Sequence, residues 1–233
     1  MKFKEIIENS NKGTLYCFSP EVMLVTFIVE FLLAIYVLIR YKLNNFNRAA
    51  ILLLFFLGIF QLTEFQICQG NASDLWLKIG FVSITLLPVI GLYMISEITG
   101  KKDILKLAYM TALLYVMYFT LSPNPIEGAY CGGNYIIFHA PQAIFQFYGF
   151  YYFGFIFFGI WEAWEGLKAN KKLRPILSWF IAGYLSFLLP MSIVYIVSES
   201  ARSAITSIMC GFAIILAFII VFRILPLYKK INK

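Results

Sequence analysis

Glutamate and glutamine side chains interrupt two otherwise apolar segments of this sequence. Glu30 comes ten residues after Pro20, which places it about 15 Å along a helix. Gln61 and Glu64 are three residues apart in FQLTEFQIC, so a helix turns them to the same face. Burial disfavours the charged form of a carboxyl, so Glu30 is expected to be protonated or hydrogen-bonded. Such groups act either as a ligand or proton site or as a structural bridge between helices.

A second polar stripe occurs in the segment HAPQAIFQFY. His139, Gln142 and Gln146 are spaced by three and then four residues, which is the spacing of one helix face. If this stripe faces Gln61 and Glu64, the two stripes form a polar pocket that opens to one side. The alternative is that these groups satisfy one another as interhelical contacts, each worth about 1 kcal/mol or less. The candidate ligand-binding residues are Glu30, Gln61, Glu64, His139, Gln142 and Gln146.

The four cysteines lack the close spacing of a CxxC metal or redox motif. Cys17, Cys68 and Cys131 fall on the same predicted side of the chain, where an oxidising compartment permits a disulfide. A Cys68–Cys131 bond would tether the segment 122–142 to the end of the second apolar segment, and Cys17 could pair with either. Cys210 is expected to be a small packing residue.

The sequence lacks the residue sets of the common catalytic sites. One histidine and the absence of aspartate within the apolar segments argue against a zinc hydrolase. The GxSxG, HExxH and P-loop patterns do not occur, and the last apolar segment has no lysine for a retinal Schiff base. We therefore expect no catalytic residue, no metal and no cofactor, and a binding protein rather than an enzyme.

The composition determines the class of protein that must position these groups. Of 233 residues, 61% are hydrophobic and 13% are charged, whereas a soluble domain has about half and about a quarter. This composition excludes both a soluble fold and a disordered chain. The sequence therefore predicts an all-α polytopic membrane protein that lies in the lipid bilayer. A net charge of +7 would suggest nucleic acid binding in a soluble protein, but basic residues next to membrane spans set their orientation, so no nucleic acid partner is expected.

Seven segments have the length and apolar character of transmembrane helices, which need about 20 residues. A tail at 1–19 is predicted to precede the transmembrane domain at 20–226, and a basic tail at 227–233 to follow it. The loop 122–142, rich in proline and glycine, is expected to cap one end of the bundle. The predicted spans are 20–40, 49–68, 75–98, 105–121, 143–166, 176–197 and 204–225.

The distribution of basic residues predicts the orientation. Fourteen of the 19 lysines and arginines fall in alternate connectors, in the span ends that border them and in the C-terminal tail, which all lie on one side of a seven-span layout. Cytoplasmic loops carry the excess of lysine and arginine. The N-terminus is therefore predicted to lie outside and the C-terminus in the cytoplasm, in a multi-pass protein of the cell membrane.

Three short strings resemble an uncharacterised family of small multi-span prokaryotic membrane proteins, a domain of unknown function. The strings are YCFSPE at 16–21, FQLTEFQIC at 60–68 and SIMCGFAI at 207–214. Family members open with Met-Cys-Phe-Ser, carry Gln and Glu in the second span and have a Cys-Phe-Phe-Ala-like string in the last. This chain departs from that pattern, because sixteen residues precede its first cysteine and its third span has one proline where the family tends to have two. The positions that the resemblance marks are Cys17, Phe18, Ser19, Gln61, Glu64 and Cys210.

The resemblance implies marked positions but no mechanism, since the family has no assigned activity. The layout is also similar to the seven-helix sensor module at the head of some bacterial histidine kinases. The expected function is binding of a small ligand or ion from the outer side by a receptor or sensor module. Such a module would need a cytoplasmic signalling partner or a homo-oligomer. The alternative is a small-solute or proton-coupled transporter or channel in which Glu30 and Glu64 form a relay.

Overall fold

The chain forms apolar helices joined by short connections. The computed structural model describes residues 19–131, 136–139, 141–197 and 204–231. Within these ranges, six helices are long and apolar enough to cross a membrane, and a shorter apolar helix of 17 residues lies between the third and fourth of them. The prediction of an all-α, multi-pass membrane protein is confirmed at this level. Cys17, Phe18 and almost all of the predicted N-terminal tail lie outside the described residues.

The seven apolar helices lie where the hydropathy pattern predicts helical segments. The last of them is a continuous apolar helix that contains a π-helical stretch at Ile220–Ile224. The helices are α1 (Pro20–Arg40), α2 (Asn45–Cys68), α3 (Asp74–Thr99), α4 (Leu105–Leu121), α5 (Gln142–Ala169), α6 (Arg174–Val197) and α7 (Ile205–Ile231).

Local residues define where the helices begin and end. Pro20 occupies the first turn of α1, where its missing N–H has no helical partner to lose. The side chain of Asn44 accepts a hydrogen bond from the backbone N–H of Asn47 at 2.8 Å and so caps α2. Gly100 ends α3 in the left-handed conformation, with φ of 78°.

Helices α2 and α3 form the centre of the bundle. Helix α1 packs on α2, α5 packs on α3, and α7 contacts α6, α2 and α1. Small residues allow close approach: a β-carbon at Gly80 would lie 2.8 Å from Cγ2 of Thr63. Large apolar side chains such as Leu113 and Leu114 of α4 are exposed on the periphery of the bundle. A lipid bilayer is the environment that such a surface fits.

A hydrogen-bonded group lies beside the proline of α3. Pro88 removes the helical donor for the carbonyl of Ile84 and perturbs the preceding turn. The carbonyl of the next residue, Thr85, accepts a hydrogen bond from the hydroxyl of Tyr151, and the hydroxyl of Thr85 lies 3.1 Å from that of Tyr148. Helix α5 thus supplies polar groups to the perturbed turn of α3.

A β-hairpin lies within the predicted cap at 122–142. Strand β1 (Gly128–Cys131) pairs antiparallel with β2 (Ile136–His139), with Cys131 opposite Ile136. A disulfide between Cys68 and Cys131 joins β1 to the end of α2, which is one of the pairings that the sequence left open. We call this the hairpin end of the bundle. The opposite end, which carries Arg40, Lys42 and Lys229, is the basic end.

Candidate functional site

Three of the predicted site residues meet in the interior of the bundle. Glu30 of α1 and Gln61 and Glu64 of α2 are 0%, 2% and 1% exposed. The carboxyl groups of Glu30 and Glu64 are close enough to interact electrostatically. Gly58 lies one turn before Gln61, and a β-carbon there would be 3.7 Å from that of Glu30. The absence of a side chain at this position leaves room for Glu30 against α2.

Helix α7 contributes two further side chains to this cluster. The hydroxyl of Ser207 hydrogen-bonds Glu64, and Ser207 also accepts a hydrogen bond from the backbone N–H of Ile136 at 3.3 Å. Cys210, one turn further along α7, is buried and lies within electrostatic range of both Glu30 and Glu64. The hairpin is therefore connected through Ser207 to the buried carboxylate. We call Glu30, Gln61, Glu64, Ser207 and Cys210 the carboxyl cluster.

Several polar atoms of the carboxyl cluster have no hydrogen-bond partner among the described residues. They are both side-chain oxygens of Glu30, Oε1 of Glu64 and Nε2 of Gln61. A buried polar atom without a partner is destabilising by about 1–3 kcal/mol. Such atoms are rare in native proteins, so a group of four at one place indicates a bound species or a titrating site.

His139, Gln142 and Gln146 do not join this cluster. All three are exposed, and the ring of His139 stacks on that of Tyr130 with centroids 5.5 Å apart. Side chains alternate along a strand, and Phe138 of β2 points into the bundle, so the adjacent His139 must point away. The structure therefore separates the two predicted stripes: one is enclosed by α1, α2 and α7, and the other lies on the surface.

Two apolar cavities lie beside the carboxyl cluster. The first has a volume of about 30 Å³, is lined by Cys210, Pro88 and Tyr184 among others, and could hold one or two water-sized molecules. The second, of about 150 Å³, lies between α3, α5 and α7. Tyr152 and Met209 line both cavities and separate them. Neither cavity is lined by Glu30, Gln61 or Glu64.

The partners of the predicted carboxyls could not be identified from the sequence alone. Ser207 and Cys210 are three residues apart, so a helix places them on one face, but their proximity to Glu64 depends on how α7 is rotated. Glu162 is another buried carboxyl. It accepts hydrogen bonds from the hydroxyls of Thr99 and Ser96 of α3, so it bridges α5 to α3 near the basic end. Glu162 has hydrogen-bond partners, whereas Glu30 has none within the described part of the chain.

Comparisons with protein-family models, with curated proteins and with solved structures gave no match. The geometry of the carboxyl cluster therefore carries the functional argument alone.

Proposed function

We propose that this chain is a seven-helix receptor or sensor module that binds protons from the outer side at Glu30 and Glu64. The observation that carries the proposal is the group of unpartnered carboxyl and amide atoms at the contact of α1, α2 and α7. Ionisable residues within membrane helices commonly mark proton or ion sites. In this proposal a change in protonation alters how α1 and α7 pack on α2.

A proton fits the carboxyl cluster better than a larger ligand does. A proton needs no cavity, and the two cavities beside the cluster are lined by other residues. Three of the four unpartnered atoms are carboxyl oxygens, which protonation converts from acceptors into groups that also donate. Among the described residues, no group of three His, Cys, Asp or Glu is arranged to hold a metal ion.

Access to the cluster is expected from the hairpin end. Glu64 lies four residues before the end of α2, about 6 Å along the axis, and Glu30 lies about 15 Å from the start of α1. Beyond Glu30 the contact of α1 with α2 is filled by the buried apolar side chains Leu33, Val37 and Leu54. A site that opens towards one side only is suited to sensing.

The orientation in this proposal follows from the charge pattern. With α4 counted as a span, 14 of the 19 lysines and arginines fall in the connectors at the basic end, in the helix ends beside them and at the C-terminus. Helix α4 has 17 residues, which is the lower limit for a membrane helix. The positive-inside rule then places the basic end in the cytoplasm and the hairpin, with its disulfide, on the outer side of the cell membrane.

The alternative is a proton-coupled transporter or channel. One observation favours it: Glu64 and Glu30 interact electrostatically and lie at different depths, as the members of a relay would. Transport also requires a route from Glu30 to the basic end, through side chains that are apolar in this structure. Such a route would have to open by movement of the helices that contain Pro88 and Pro190.

Glu64→Gln tests the proposal and separates it from the alternative. In the wild-type protein the melting temperature should fall as the pH rises, because deprotonation leaves negative charge buried in the cluster. The variant should lose most of this pH dependence while folding normally, since Gln retains the size of Glu. Purified protein in lipid bilayers allows melting and proton flux to be measured on the same preparation.

The matched control is Glu127→Gln, which removes an exposed carboxyl at the same end of the bundle and should behave like the wild type. If vesicles with the wild-type protein show pronounced proton flux and vesicles with Glu64→Gln show none, the transporter is favoured. Failure of Glu64→Gln to fold would instead make Glu64 a structural bridge, and an unchanged pH dependence would remove Glu64 from the site.

A further inference from the structure

A second cavity, unrelated to the carboxyl cluster, lies at the basic end of the bundle. It has a volume of about 550 Å³ and lies between the α1–α2 connection and the end of α7. Three exposed cations line it: Arg40, Lys42 and Lys229. Among the described residues, none of the three forms an ion pair with an acidic side chain. The cavity therefore has three positive charges that no acidic side chain among the described residues pairs with.

Aromatic contacts join the end of α7 to the α1–α2 connection and the start of α2, and they hold the walls of this basic cavity together. The ring of Tyr228 stacks on that of Phe46 with centroids 3.9 Å apart and ring planes 13° apart, which fixes the end of α7 against the start of α2. The ammonium group of Lys229 lies 5.8 Å from the centroid of the Tyr41 ring. The three cations thus belong to a built cavity rather than to loose chain ends.

A polar side chain in the wall of the cavity has an unused acceptor. Asn47 is 6% exposed, and its amide nitrogen donates a hydrogen bond to the carbonyl of Lys42 at 2.8 Å. Its oxygen, Oδ1, has no partner among the described residues. An orphaned acceptor beside three cations indicates a ligand that carries both negative charge and a hydrogen-bond donor.

We propose that the basic cavity binds a phosphate ester that also carries a hydroxyl group. The phosphate would contact Arg40, Lys42 and Lys229, and the hydroxyl would donate to Oδ1 of Asn47. A guanidinium fork binds phosphate oxygens in a bidentate manner, and lysine adds a point charge. The ends of apolar helices lie at the level of lipid headgroups, so a glycerol phospholipid headgroup and a soluble phosphate ester are both sources of this chemistry.

The test uses the full chain, purified in neutral detergent and titrated with three probes by native mass spectrometry. The probes are phosphatidylglycerol, phosphatidylmethanol, which has the same charge but no headgroup hydroxyl, and soluble glycerol 3-phosphate. A triple variant, Arg40→Gln, Lys42→Gln and Lys229→Gln, should bind phosphatidylglycerol about 100-fold more weakly than the wild type. The control variant, Lys101→Gln, Lys106→Gln and Lys171→Gln, removes equal charge from exposed positions in or beside other connectors at that end and should bind within a few-fold of the wild type.

The headgroup hydroxyl is tested by Asn47→Ala. The wild type should prefer phosphatidylglycerol to phosphatidylmethanol by about fivefold, which is the effect of one hydrogen bond. Asn47→Ala should lose this preference and retain charge-dependent binding, and a melting curve confirms that it is folded.

The three probes distinguish a phospholipid headgroup from a soluble phosphate ester as the natural ligand. Binding of the lipid with weak binding of glycerol 3-phosphate assigns a phospholipid headgroup, and tight binding of glycerol 3-phosphate assigns a soluble ester. Equal affinity of the wild type and the triple variant for all probes would overturn the site. Because the site is at the opposite end from Glu64, this result is independent of the proton-sensing proposal.

Discussion

Gly91→Ala should lower the free energy of unfolding by about 2 kcal/mol, and adding Tyr184→Phe should restore most of the loss. A β-carbon at Gly91 would lie in severe overlap with the hydroxyl of Tyr184, whose ring crosses from α6 to α3. Tyr184 is buried, and its hydroxyl also faces Gly159 of α5, so the ring has little freedom to move. Overpacking of this kind typically destabilises a core by about 1–3 kcal/mol.

The rescue separates a steric effect from a helix-propensity effect. When Tyr184→Phe removes the hydroxyl, the nearest ring atom of residue 184 would be 3.4 Å from the new β-carbon at position 91, which is an ordinary contact distance. Gly154→Ala is the matched control, because a β-carbon there meets nothing within 4 Å, and it should be neutral or slightly stabilising. Unfolding in bicelles measures all three variants against the wild type. A neutral Gly91→Ala would show that the ring moves into the neighbouring 30 Å³ cavity and would contradict the prediction.

Glu30→Met should stabilise the protein by about 1–3 kcal/mol at high pH and remove the share of the pH dependence of its stability that Glu30 contributes. Both side-chain oxygens of Glu30 are buried and have no hydrogen-bond partner in the segments that the structure describes, so an apolar side chain of similar length removes a desolvation cost and no hydrogen bond. A gain in stability with a loss of response is the pattern expected when a residue is retained for function rather than for folding.

Unfolding in lipid bilayers at several pH values measures this effect, with Glu127→Gln as the control. A Glu30→Met variant that is less stable than the wild type at every pH would show that Glu30 has structural partners. The role assigned to Glu30 in proton binding would then be wrong.

The helices of this fold were predictable because their formation in lipid is a local property. Every backbone N–H and C=O must be satisfied within the segment, so an apolar run of sufficient length forms a helix whatever its neighbours are. The pairing of Gln61 with Glu64 on one face follows from their spacing alone. The proximity of Glu30 to Glu64 could not be predicted, because it depends on the rotation of α1 about its axis.

The second stripe shows how a local error changes a functional interpretation. His139, Gln142 and Gln146 have helical spacing, but His139 lies in a strand and Gln142 begins a helix. Spacing across a strand–helix junction does not define a common face. The hairpin itself depends on pairing with Gly128–Cys131 and on the bond from Cys131 to Cys68, which are long-range contacts.

Infrared difference spectroscopy of the protein in bilayers, between low and high pH, tests the central claim most directly. A protonated carboxyl has a carbonyl stretching band that a carboxylate lacks. We expect titrating carboxyl bands in the wild type, one of which is lost in Glu30→Gln and another in Glu64→Gln. If the double variant gives the same difference spectrum as the wild type, these two carboxyls do not exchange protons and the site does not exist as proposed.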